Sequence, residues 1–126
     1  MDSLGEWIEE LRSASRLILV EGQNDKAALE ALGITNILTV SKTPAYKTID
    51  QIKEKEVIIL TDLDVEGKKL YAALRHQLQK NGVKIDTVFR EFLFNETTLS
   101  HIEGLPHYLR KTSCMASKMG TEVLKL

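Results

Sequence analysis

The stretch VIILTDLDVEG, residues 57–67, runs four apolar residues straight into two aspartates one residue apart, Asp62 and Asp64, with Gly67 three residues later. With Glu56 in front, EVIILTD (56–62) reads as a strand. Its unbroken apolar run is the pattern of a strand covered on both faces, as parallel sheets require. Such a strand has no packing reason to end in two neighbouring negative charges, so the ending calls for a chemical reason.

Outward from this strand the chain repeats a strand–helix rhythm. RLILVEG (16–22) is a second compact apolar run, and it ends in Glu21-Gly22. KAALEAL follows as a helix that Asn24 or Asp25 could cap and Gly33 could stop. ITNILTVS (34–41) reads as a strand with β-branched content, and 44–55 as a loop and short helix. From about Val65 to Lys80 the spacing of Leu70, Leu74 and Leu78 predicts a helix, ended by Asn81-Gly82. VKIDTVF (83–89) reads as a fourth strand, and residues 3–14 as an N-terminal helix. The order implies a mainly parallel four-stranded sheet flanked by helices, an α/β fold. In residues 91–126 the pattern is weaker. HIEGLPHYLRKT (101–112) reads as a loop with Pro106 near the start of a last helix.

Composition narrows the class. The 126 residues are one domain's worth, 43% apolar and 28% charged. A net charge of −1 gives no overall basic field, though a local basic patch is compatible with it. The lone cysteine, Cys114, excludes an internal disulfide and a CxxC zinc site, and fits a cytoplasmic location. No apolar run reaches the roughly 20 residues of a membrane span.

In open α/β sheets, functional groups gather at the carboxyl ends of the strands. If the strands ending in Glu21 and in Asp62/Asp64 are neighbours, three carboxylates meet in one crevice. A hard divalent cation would relieve their repulsion, and Mg²⁺ takes oxygen ligands from one or two carboxylates together with substrate phosphate. Asp62 and Asp64 point the same way if the segment stays extended. Gly22 and Gly67 allow close approach of backbone to a ligand. A plainer reading competes at each position: Asp64 as the cap of the helix starting at Val65, Asp62 as a turn residue.

Taken together, LILVEGQND (17–25) and VIILTDLDVEGKKL (57–70) resemble the Toprim domain, the metal-binding module of type IA and type II topoisomerases, bacterial-type primases and several small nucleases. The resemblance covers about residues 16–90, flanked by the helix 3–14 and an extension 91–126, and is nearest to small stand-alone Toprim proteins and to ribosomal-RNA maturation nucleases. It implies a Rossmann-like fold, Mg²⁺ or Mn²⁺ held by Asp62 and Asp64, and Glu21 as general acid or base or as a further metal ligand. It implies phosphoryl-transfer chemistry on RNA or DNA.

Lys26 and Lys68, with Lys69, follow the acidic strand ends and are candidate phosphate contacts, as is Lys42 in the loop SKTPAYK (41–47). Each competes with an ordinary solvated lysine. His76 reads as a surface residue. His101 and His107, six apart, show no metal-ligand spacing and are set aside as ligands. Trp7 and Tyr71 fit helix packing.

Two functions follow. One is a metal-dependent nuclease. The other is a non-catalytic metal- and nucleic-acid-binding module inside a larger processing complex, favoured by the near-neutral charge and the lack of an obvious substrate domain. Topoisomerase activity would need a tyrosine on a further domain, and primase a zinc element. Receiver domains and dehalogenase-type phosphatases place their acids in a different strand order.

Overall fold

The computed structural model describes residues 1–40 and 44–118. Helix α1 (Leu4–Ser13) leads into β1 (Leu17–Val20), α2 (Gln23–Glu30), β2 (Ile37–Thr39), α3 (Ala45–Gln51), β3 (Glu56–Ile59), α4 (Val65–Lys80) and β4 (Lys84–Asp86). After β4 come α5 (Val88–Glu96), a 3-10 turn at Ile102–Gly104, and α6 (Leu105–Lys118). The four strands form one sheet in the order β2-β1-β3-β4, and every pairing is parallel. Among the described residues no helix is long and apolar enough to cross a membrane.

Period-two alternation splits the strand residues between two cores. Ile18, Val20, Ile58 and Leu60 face α1, α2, α5 and the 3-10 turn, packing with Trp7, Leu11, Leu29, Phe89, Leu93 and Ile102. Leu19, Val57 and Ile59 face α3 and α4, packing with Ile49, Leu74 and Leu78. Both faces of β1 and β3 are thus covered, which is why their sequences read as unbroken apolar runs. Trp7 is fully enclosed, and its indole N–H donates to the Phe89 carbonyl at 2.8 Å.

The element types match the sequence reading up to β4, with shifted ends. Ile34 is buried but lies outside β2, and Asn36 has φ 63°, which breaks an extended run from 34. Helix α2 is entered through Gly22 rather than Asn24 or Asp25. Asp25 stands in the first turn, with its carboxylate accepting from the Gly22 amide at 3.1 Å. Gly33 and Gly82 close α2 and α4 with φ of 81° and 76°. The strand expected over 83–89 stops at Asp86. There the Asp86 carboxylate accepts from the Val88 amide at 3.0 Å and turns the chain into α5, which puts Phe89 in the core. Pro106 does sit in the first turn of the last helix.

Candidate metal centre

Because β1 and β3 are adjacent and in register, their carboxyl ends open onto one crevice. Glu21 follows β1 directly. Its Oε1 accepts from the Asp62 amide at 3.1 Å, a contact between residues far apart in sequence. Asp62 and Asp64 lie beyond β3, in the turn into α4. The chain bends at Leu63 and Asp64 while Asp64 itself keeps extended backbone, and the two aspartates offer ligand atoms within 4.8 Å of one another. Asp64 is the N-cap of α4, and its Oδ1 accepts from the Gly67 amide at 2.7 Å. The capping reading of Asp64 thus holds, and it uses one of the two carboxylate oxygens.

The same division recurs at Asp62. Its Oδ1 accepts from the Ile102 amide at 2.8 Å, while Oδ2 has no protein partner among the described residues. Glu21 Oε2 is likewise free of partners among the described residues. Asp62 and Glu21 are thus each anchored through one oxygen, with the other free of protein partners among the described residues.

His101 completes the group, against the reading that set it aside. Its Nε2 lies 3.1 Å from Asp64 Oδ2, and its Nδ1 lies 3.0 Å from the Ser100 hydroxyl. Asp62, Asp64 and His101 each offer a ligand atom, all within 4.8 Å of one another, and Glu21 does not join that set. The backbone holds this connection in place: the Leu63 amide donates to the Ser100 carbonyl at 2.8 Å. His101 is invisible to spacing rules because the contact is made by tertiary folding, 37 residues away in the chain.

Sequence reasoning also missed Arg90, and it read Asp25 only as a helix cap. The Arg90 side chain donates to the Thr61 carbonyl at 3.0 Å and the Asp62 carbonyl at 2.9 Å, so it grips the backbone that carries the acids. Its guanidinium lies over Tyr71 at 4.5 Å and Phe94 at 5.4 Å. Gly67 fits where no other residue would, since a Cβ there would overlap the Asp62 carbonyl and press on Glu21 Oε1. Gly22 occupies the entry to α2. Lys26 is half-buried and Lys68 and Lys69 are exposed, and none of the three forms an ion pair with the acids among the described residues. Lys42 lies outside the described residues.

Electrostatics mark the crevice as short of positive charge. Burial raises the Glu21 carboxyl above its usual value, and the charges of Asp62, Asp64 and Asp25 add to this against the pull of the Asp62 amide. Burial also raises Asp62, with Asp64 and Glu103 adding, while the Ile102 amide and His101 oppose. Asp25 is raised by burial and by Asp62. Carboxyls held high in this way are a site that a cation would stabilise. Two partly anchored carboxylates and an imidazole nitrogen are a donor set that fits a small divalent ion.

A model described as the Toprim domain matches residues 15–89 of the sequence. The chain belongs to the Toprim family. Its relatives include a UPF0292 protein of Methanocaldococcus jannaschii, 35% identical over 118 residues, covering 87% of this chain and 92% of that one. Another, from Archaeoglobus fulgidus, is 30% identical over 113 residues, covering 86% and 90%. Among solved structures, a putative protein from Aquifex aeolicus superposes with a TM-score of 0.76 at 37% identity, covering 82% of this chain and 98% of that one. The Toprim fold and the acidic group together place the chain in a family of metal-dependent nucleic-acid-processing proteins.

Proposed function

We propose that this Toprim protein hydrolyses phosphodiester bonds in RNA or DNA with Mg²⁺ or Mn²⁺ at the Asp62/Asp64 crevice. The observation that carries the reading is the paired anchoring of Asp62 and Asp64, each with one oxygen on a backbone amide and each with a ligand atom within 4.8 Å of the other's. A divalent ion there would supply charge neutralisation on the phosphate oxygens and an acidified water. Asp62 and Asp64 would hold it.

Glu21 would act as the general base. Its Oε1 is fixed by the Asp62 amide, which leaves Oε2 to take the proton of the attacking water as the P–O bond to the leaving oxygen breaks. A carboxyl lifted toward neutrality by burial suits that task. Lys26 on α2 and Lys68, with Lys69, on α4 would meet the phosphate backbone, with Lys42 a further candidate. Gly22 and Gly67 would allow its close approach.

The near-neutral net charge favours a second reading, in which the chain binds metal and nucleic acid within a larger processing complex that supplies the remaining contacts. One experiment separates the two. Metal-stripped protein is incubated with structured RNA, single-stranded RNA and supercoiled DNA, with and without Mg²⁺ or Mn²⁺. Cleavage should need the metal, vanish in Asp62→Asn/Asp64→Asn, and fall about 10²–10⁴-fold in Glu21→Gln. Metal binding without cleavage of any substrate would favour the binding module.

A further inference from the structure

We infer that His101 is a direct metal ligand, and that it makes the centre prefer a first-row transition ion such as Mn²⁺ over Mg²⁺. The inference rests on the metal-centre reading above and concerns which ion that centre takes.

Three observations carry it. The first is distance. Two ligand atoms each about 2.1 Å from a six-coordinate ion, at right angles to one another, stand about 3 Å apart. The 3.1 Å between His101 Nε2 and Asp64 Oδ2 matches that edge, and Asp62 brings a third donor within 4.8 Å of both. The second is the far side of the ring. An imidazole that ligates through Nε2 carries its proton on Nδ1 and hands it to an acceptor, an arrangement that fixes ring and tautomer together. The Ser100 hydroxyl stands 3.0 Å from Nδ1, in position to accept. The third is the mounting. The Ser100 carbonyl accepts from Leu63 and the Ile102 amide donates to Asp62, so the residues on both sides of His101 are tied to the loop that carries the aspartates. Ile102 is fully buried. The ring is thus presented by a backbone fixed to the same loop as its fellow ligands.

The consequence for the ion is chemical. Carboxylate, carbonyl and water oxygens suit Mg²⁺, whereas an imidazole nitrogen shifts preference toward transition ions. A centre of two carboxylates and one imidazole retains enough oxygen for Mg²⁺ to enter but binds it less well than Mn²⁺.

The test uses the full chain stripped of metal and loaded with Mn²⁺ or Mg²⁺ alone. Calorimetric titration should give Mn²⁺ binding about ten-fold or more tighter than Mg²⁺. His101→Ala should weaken Mn²⁺ by about ten-fold or more while changing Mg²⁺ much less, which closes the gap between the ions. Electron spin-echo spectra of the Mn²⁺ form should show a directly bound imidazole nitrogen that disappears in His101→Ala and persists in His107→Ala, whose histidine is on an exposed helix face. The spectrum of the unaltered protein decides the matter even if His101→Ala folds poorly. Mn²⁺ bound through Asp62 and Asp64 with no nitrogen coupling would overturn the inference and leave the metal centre standing. Failure to bind either ion would overturn both.

Discussion

Two regions meet at the crevice, and they are built by different means. Glu21, Asp62 and Asp64 arrive from the ends of β1 and β3, strands packed between two apolar cores. His101 and the Ile102 amide arrive from the connection between α5 and α6, which is tied to the first region by the Leu63–Ser100 and Ile102–Asp62 hydrogen bonds and by the buried Ile102 and Leu105 side chains. The sheet sets where the acids stand. The connection sets which way Asp62 faces and adds the nitrogen donor. A site so assembled should lose stability when either region is damaged, but should lose its ion selectively when the connection is loosened.

The largest effect should come from cavities. Ile58→Ala in β3 and Ile102→Ala in the connection each remove a fully buried side chain, and each should cost about 2–5 kcal/mol in urea unfolding. Only Ile102→Ala should also weaken metal affinity at a temperature where both variants are folded. Equal metal affinity in the two would mean that the connection does not position the site. Next is Gly67→Ala, where a Cβ meets the rigid Asp62 carbonyl. About 1–3 kcal/mol is expected, with displacement of Asp62 visible as weaker Mn²⁺ binding. Arg90→Met should cost a comparable or smaller amount, about 1–3 kcal/mol, because the Thr61 and Asp62 carbonyls lose their donor. Its apolar stem would still cover Tyr71.

The smallest effect sharpens the contrast by charge alone. Glu21, Asp25 and Asp62 have carboxyls raised in the folded protein, chiefly by burial. The metal-free fold therefore binds protons more readily than the unfolded chain. These three groups lower stability as pH rises from their ordinary values, 4.5 for Glu21 and 3.8 for the aspartates, through their raised ones. Acidification from pH 7 should thus relieve a penalty in the wild type that Asp62→Asn lacks, and the stability difference between them should shrink as pH falls. With metal bound the sign reverses, because protons compete with the ion for the same oxygens. Chemical denaturation across this pH range, with and without Mn²⁺, reads both slopes.

How much of this could be read from the sequence follows the same division. The apolar runs before Glu21 and Asp62 announce buried parallel strands, since a strand covered on both faces must be apolar at successive residues. Helix α4 shows itself through Leu70, Leu74 and Leu78. The acids were legible because they interrupt that regularity. VKIDTVF misled because its alternation imitates a strand, while Asp86 and Thr87 turn the chain into α5. His101 and Arg90 carry no local signal: each acts through backbone groups or side chains brought close only by folding, whereas Asp25 bonds locally to the Gly22 amide at the start of its own helix. Positions set by periodicity can be read in one dimension, and positions set by long-range hydrogen bonds cannot.

The central claim is that Asp62 and Asp64 hold a divalent ion. The most direct measurement is thermal unfolding of metal-stripped wild type and Asp62→Asn/Asp64→Asn as Mn²⁺ is added. Asparagine keeps the N-cap of α4 and the acceptor for Ile102, so both proteins should fold. The wild-type Tm should climb with Mn²⁺ concentration, as a ligand that binds only the folded state requires, while the double variant should stay flat. Equal rises in the two proteins would contradict the claim and move the ion away from the strand ends.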